Sequence, residues 1–413
     1  MKQKRALKVA LVIVGSILLL LGGLTILNKT YHTSYDKMDT TDKSFFKQLN
    51  TLYTKTKNEP LWQDYNLAEN PVLFVRKGDH LNFSEDTINL IRGNVYAVGV
   101  KGLEGKWYAT KIEMPRSYKM PDVYRLAITT PGIWSTWNPV GNFSSFSTND
   151  SGQEVRSNMQ LADSSYVYYF KYGKNNIENP GDASKSAMPF FAHEAFHYLQ
   201  QYDWHSTDGN IDVASKDTEW YSLLGLQYSI LDTIMDATGK QDKATLEKAL
   251  SDYVVVSDAR RKQGASDYQN EKQHETIEGT ATYVGIKAST ITGGQPKQLK
   301  LLEGARDEKS RKFAVLFEGI AYDPSFISEI KWNRYDSGAL LSSALDEVDS
   351  PNWQTTFNKK ASANKAFTLD DELHQLNDLA KPRTLAEIEK SYHFDDIQAL
   401  SKKIVDGLKD GDN

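Results

Sequence analysis

Apolar positions along this chain follow three spacings in turn. Residues 9–27 form an uncharged, largely apolar run of 19 positions, long enough to cross a bilayer as a helix. From Thr41, Phe45, Phe46, Leu49, Leu52 and Tyr53 recur with helical spacing. Short β-branched or aromatic runs then occupy 72–75, 95–100, 107–110, 123–128 and 166–172, most bounded by Gly, Pro, Asn or Asp, and these predict strands. Residues 132–152, rich in Gly, Ser, Asn and aromatics, predict a long loop, and the Asn-Asn and Asn-Pro-Gly chemistry of 173–187 predicts turns. Beyond Met188 the period becomes helical, predicting helices at 188–203, 217–238, 244–262, 268–291, 308–319, 325–348, 369–379 and 384–408. The expected fold class is α+β, with a mixed sheet-containing N-terminal half, a helical C-terminal half and one preceding transmembrane helix.

The flanks of the apolar run orient it. Lys2, Lys4, Arg5 and Lys8 precede it, and such a cluster stays cytoplasmic, which places everything after Leu27 outside. A cleaved signal peptide usually has a shorter apolar core and a small-residue cleavage site, which Ile26-Leu27-Asn28-Lys29 lacks. A retained signal anchor is therefore expected. The organisation reads as a basic stub at 1–8, an anchor at 9–27, a polar stalk at 28–40, a mixed α/β part at 41–187 and a helical part at 188–413.

Composition narrows the chemistry. With 39% hydrophobic and 25% charged residues the chain has the make-up of a globular protein rather than a disordered one. It contains no cysteine, so disulfides, thiolate metal sites, a cysteine nucleophile and a lipoprotein anchor are all excluded. The net charge is −5, and setting the four basic residues of the stub aside leaves −9. An acidic ectodomain is a poor partner for nucleic acid.

The stretch Phe191-Ala192-His193-Glu194-Ala195-Phe196-His197-Tyr198-Leu199 carries the clearest chemistry. His-Glu-x-x-His on a helix puts two imidazoles, four positions apart, on one face where both reach one metal ion. Glu194 lies about 100° round the helix, beside a water rather than the metal. Phe191, Tyr198 and Leu199 are apolar or aromatic, and neither variable position of the motif is charged, as befits a helix whose ligand face points inward. Imidazole nitrogen suits zinc, and one Zn2+ per chain is expected. Gln200, Gln201 and Asp203 follow, so this helix is not an intramembrane one.

Two histidines need a third ligand. His205 follows eight positions after His197 with no intervening glycine, which does not match a third-histidine pattern. Glu278 in His274-Glu275-Thr276-Ile277-Glu278-Gly279-Thr280-Ala281-Thr282-Tyr283 is the better candidate. Gly279 and Ala281 beside it would let its helix approach the metal helix closely, and Thr282 could hydrogen-bond a ligand. Glu219, 22 positions after His197, is the rival carboxylate.

HEAFH followed by Glu-Gly-x-Ala-x-Tyr resembles the gluzincin zinc metallopeptidases, especially the aminopeptidase and leukotriene hydrolase branch. The resemblance spans roughly 188–345 and implies a zincin-like fold with Glu278 as third zinc ligand. A further segment, Tyr335-Asp336-Ser337-Gly338-Ala339-Leu340-Leu341, looks like the family's Tyr-x-x-Gly-Ala, which implies that the Tyr335 hydroxyl steadies the oxyanion. Tyr322 is the alternative tyrosine. Ile277 stands where the family has Asn, and Glu278 lies 81 positions after His197 instead of the roughly twenty that one helix and a loop occupy. The family's Gly-x-Met-Glu-Asn segment, which holds a free amino terminus, has no counterpart, so aminopeptidase specificity is not implied.

The expected function is thus a membrane-anchored, extracytoplasmic zinc metallopeptidase, with His193, His197 and Glu278 as ligands, Glu194 as general base and Tyr335 as oxyanion partner. Its expected partners are a peptide or protein substrate and the membrane. Residues 166–172 could form an edge strand for an extended peptide, or pack the core. A catalytically inactive zincin-fold surface binding or sensing module is the alternative.

Overall fold

A computed structural model describes residues 2–30, 34–77, 94–133, 136, 143–144, 147–148, 154–155, 160–178, 186–204, 213, 216–293, 312–348, 352–364, 366–376 and 380–411. They form a mixed α+β structure made of two compact units. One comprises Met1–Pro60 and Asn66–Tyr198, the other Leu61–Tyr65 and Leu199–Asn413.

The first unit opens with helix α1 (Lys2–Thr30), in which Ala6–Ile26 is long and apolar enough to cross a membrane and is almost wholly exposed. The residues expected as a free polar stalk are partly folded. The Tyr35 amide donates to the Glu113 carbonyl at 3.1 Å, Met38 is buried, and Asp39 caps α2 (Thr40–Lys55) by accepting from the Asp42 amide at 2.8 Å. A polar segment can cover a core when its few apolar side chains are placed inward, which composition alone does not reveal.

Strands β1 (Val72–Arg76), β2 (Val95–Val98), β3 (Ala109–Lys111), β4 (Val123–Leu126), β5 (Phe143–Ser144) and β8 (Tyr168–Tyr172) form a sheet in the order β3-β4-β2-β1-β8-β5. A separate small ribbon pairs β6 (Ser147–Thr148) with β7 (Glu154–Val155). All pairs of the main sheet are antiparallel except β1 with β8. Because strand side chains alternate faces, the register sorts them into two layers. Leu73, Val75, Val95, Ala97, Leu126 and Tyr169 join one buried cluster with Leu103, Ile133 and Val167. Phe74, Phe170, Tyr96 and Tyr172 face the other way, where Phe45 of α2 stacks on Tyr172 at 4.0 Å between centroids and Phe46 meets Tyr96 edge-on at 5.1 Å. With both faces covered, the strands read as continuous apolar runs.

Asp42 ties α2 to this layer. It accepts from the hydroxyls of Tyr96 at 2.7 Å and Tyr172 at 2.6 Å and pairs with Arg76 at 3.1 Å. Burial, reinforced by Asp39, raises its carboxyl above the ordinary value despite these donors. Strand β8 is flanked by β1 and β5, so the edge position considered for 166–172 is taken by β5. Within 173–187, Lys174–Glu178 forms helix α3, and 179–185 lie outside the described residues. Helix α4 (Ala187–Leu199) follows.

The second unit is helical: α5 (Thr218–Lys240), α6 (Lys243–Gln263), α7 (Ala265–Thr292), α8 (Phe313–Tyr322), α9 (Glu329–Val348), α10 (Trp353–Ala363), α11 (Leu369–His374), α12 (Leu385–Ser391) and α13 (Phe394–Gly411). Side-chain caps start four of these helices: Asp217 for α5, Asp242 for α6, and Thr368 and Thr384 in capping boxes for α11 and α12. The expected single helix 384–408 is two, interrupted at Tyr392–His393, where His393 takes the left-handed conformation with φ 53°. Helix α10 was not expected. Its buried stripe is only Trp353, Gln354, Phe357 and Ala361, too narrow among Asn and Lys to announce itself. Trp62 packs against Trp353 at 5.1 Å, Tyr283 at 5.9 Å and Trp204 at 6.0 Å.

Helices α7 and α9 meet backbone to backbone. A Cβ built on Gly279 would collide with the Gly338 backbone, and one on Gly338 with the Glu275 carbonyl. Gly279 was expected to bring its helix against the metal helix; it serves α9 instead. The glycine of Tyr-x-x-Gly-Ala is thus half of a backbone-to-backbone contact.

Candidate metal centre

Helix α4 buries Met188, Phe191, Ala192, Ala195 and Phe196, the i, i+3, i+4, i+7, i+8 stripe of an amphipathic helix. Pro189 sits in the first turn, where its missing amide costs little. Phe191 is held by Phe74 at 5.1 Å and Phe170 at 5.2 Å, and Tyr198 by Tyr168 at 6.1 Å. Sheet contacts thereby fix the rotation of α4, and His193, Glu194 and His197 lie half-buried on its remaining face. The two imidazoles converge, with Nε2 of His193 and Nε2 of His197 3.1 Å apart. Two ligands of a tetrahedral zinc at about 2.0–2.1 Å would sit roughly 3.3 Å from each other. The spacing fits a shared ion, as does the donor set. Among the described residues, His193, His197 and Glu278 form a group whose ligand atoms all lie within 4.8 Å of one another.

Glu278 belongs to α7. Most of that helix is buried, and its charges are internally matched. Arg260 of α6 makes a bidentate pair with Glu271 at 2.7 and 2.9 Å, while Lys272 reaches Glu275 at 2.8 Å and the Tyr253 hydroxyl at 2.8 Å. Ser337 of α9 also bonds Glu275. Burial alone would raise the Glu271 carboxyl, but Arg260, Arg334 and Lys272 together bring it down to about 2. Glu271 and Glu275 are therefore committed to packing. His274 and Glu278, one turn apart, are only half-buried. Of the three acids on this stretch of α7, two are thus held in buried ion pairs and Glu278 is the more accessible one.

Tyr335, on α9, stands edge-on to His274 at 5.8 Å and beside Trp332 at 5.7 Å. The alternative, Tyr322, is 76% exposed at the end of α8 under Lys403. Glu219 is exposed at the start of α5, where it lines a cavity with Asp258, Lys262 and Glu389. His205 lies outside the described residues.

The hydroxyl engaged on the Glu278 turn is that of Thr280. It donates to the Thr276 carbonyl at 2.8 Å and accepts from Gln201 Nε2 at 2.7 Å. The same Gln201 nitrogen donates to the Ile277 carbonyl at 2.8 Å. Gln201 is 4% exposed. In sequence it is one of several polar residues closing an apolar helix, which reads as a solvent-facing end. Only the fold shows that it is inside.

Comparison with protein-family models, with curated proteins and with solved structures finds no match.

Proposed function

We propose that this chain is a membrane-anchored zinc metallopeptidase of gluzincin type, acting outside the cytoplasm on peptide or protein substrates. The observation that carries the reading is the convergence of His193, His197 and Glu278 with a glutamate next to the first histidine. A purely structural site has no use for that neighbouring base. His193, His197 and Glu278 would hold the ion, and zinc in such a setting supplies Lewis acidity that makes water nucleophilic near neutral pH. Glu194 takes the proton from the attacking water and returns it to the departing amine. Tyr335 donates its hydroxyl to the carbonyl oxygen as negative charge develops there. The half-buried setting of His193, Glu194 and His197 leaves room for a substrate to approach. Helix α1 would tether the enzyme, with the basic stub on the cytoplasmic side.

The test is zinc content and peptide hydrolysis of the full chain in detergent, beside Glu194→Gln and Glu278→Ala. One zinc per chain is expected in the wild type and in Glu194→Gln, with hydrolysis lost in the latter by at least about 100-fold, the scale of removing a general base. Glu278→Ala is expected to lose metal. A wild type free of metal, or one that binds zinc and cuts nothing, overturns the enzyme and leaves a surface binding module.

A further inference from the structure

We infer that Gln201 is a positioning residue that holds the third metal ligand in place, an inference that rests on the metal centre proposed above. Glu278 is flanked within one helical turn by the two groups that Gln201 engages, the Ile277 carbonyl at 2.8 Å and the Thr280 hydroxyl at 2.7 Å. Both hydrogens of one amide nitrogen are thus spent on that turn. The Thr280 hydroxyl can accept because its own hydrogen is directed to the Thr276 carbonyl at 2.8 Å. Thr276 in turn donates to the Lys272 carbonyl at 2.7 Å and accepts from the Leu369 amide at 2.9 Å. A ladder of hydroxyls therefore runs along α7 and ends at Gln201.

Gln201 has its own anchor. It opens the 3-10 turn Gln201–Asp203, whose end is closed by the Trp204 amide donating to the Gln201 carbonyl at 2.9 Å, and Trp204 packs on Phe357 at 5.2 Å. The residue stands four positions after His197, so the chain that leaves the histidine pair bonds directly to the turn that carries the acid. A glutamine suits this position because a carboxamide offers two donors without placing a charge beside the ligand. Groups that orient metal ligands in this way typically contribute 10–100-fold to metal affinity.

Zinc affinity of the full chain, measured by chelator competition, tests the assignment, with the Co2+ absorption spectrum as a second readout of ligand geometry. Gln201→Met keeps the volume and removes both donors; Thr280→Val removes one acceptor, and Thr280→Ser restores it. Gln227→Met is the control, a buried glutamine bonded instead to Ser257 and Arg260. Gln201→Met is expected to weaken zinc by about 10–100-fold and alter the cobalt bands. Thr280→Val should do so less, Thr280→Ser should resemble wild type, and Gln227→Met should lower stability with zinc affinity intact. Wild-type affinity and spectrum in Gln201→Met, while Glu278→Ala loses metal, would overturn the positioning role and leave the metal centre standing. An equal loss in Gln227→Met would reduce the effect to general loosening and also overturn it. If Glu278→Ala keeps wild-type affinity, both the role and the ligand set beneath it fall.

Discussion

Asp232 shows how one side chain can set a pH response. It lies on α5, is 7% exposed, and accepts from the Phe313 amide at 2.7 Å and the Ala314 amide at 3.1 Å, capping α8 from another helix. Burial outweighs these donors and Lys312 and raises its carboxyl to about 6 from an ordinary 3.8. Between those two values the folded chain keeps a proton that the unfolded chain releases. This group's contribution to stability is therefore present at lower pH and falls as pH rises through the window. Relative to Asp232→Asn, the wild type should gain stability on going from pH 7 to pH 4.5, read from urea unfolding at both. A constant difference between the two proteins would contradict this. Single residues were also where the sequence was most legible. His193, Glu194 and His197 identify themselves by spacing. Gln201 does not, because hydrogen bonds between residues 76 and 79 positions apart leave no local periodicity.

At the scale of elements, close packing of α7 on α9 is the most demanding feature. Helices that touch through glycine backbones have no side chain between them to yield. Gly338→Ala should destabilise the protein by about 1–3 kcal/mol, the usual cost of overpacking. Gly239→Ala, where a new methyl meets nothing within 4 Å, should be neutral or stabilising by up to about 1 kcal/mol. Thermal unfolding of the two variants distinguishes them, and equal midpoints would mean that α7 and α9 can slide apart freely. Strands 72–75, 95–100 and 123–128 were legible because β-branched and aromatic runs have few other uses. Helix α10 and the break at His393 were not, the one for want of a wide apolar stripe. The other depends on a left-handed residue that is not glycine. The close approach at Gly279 was foreseen, but its partner was not, since a small residue marks a contact without saying with what.

For the whole molecule, α1 is the helix on which the proposed membrane anchoring rests. With a predominantly apolar span of 21 residues and almost no burial within the fold, it should keep the chain in the membrane fraction through alkaline carbonate extraction. Protease added outside intact cells should reach the folded part. Release into the soluble fraction, or protection from that protease, would refute the anchor or its orientation. The change of period near Met188 marks where long helices take over, whereas the sheet-bearing unit runs on through α4 to Tyr198. Which far-apart residues meet was not legible in the sequence, because topology is written in contacts that no window of sequence contains.

The order of elements along the chain also imposes an order in time. Every strand of the main sheet precedes the histidine helix, so the scaffold of α4 is complete in sequence before that helix is made. Glu278 is added 81 residues after His197, which at roughly 5–20 residues per second is an interval of several seconds. Throughout it the nascent chain has its histidines but not its acid. In the peptidase proposed above, the ligand set would stay incomplete for that interval, and the growing chain would be harmless toward the machinery that makes it.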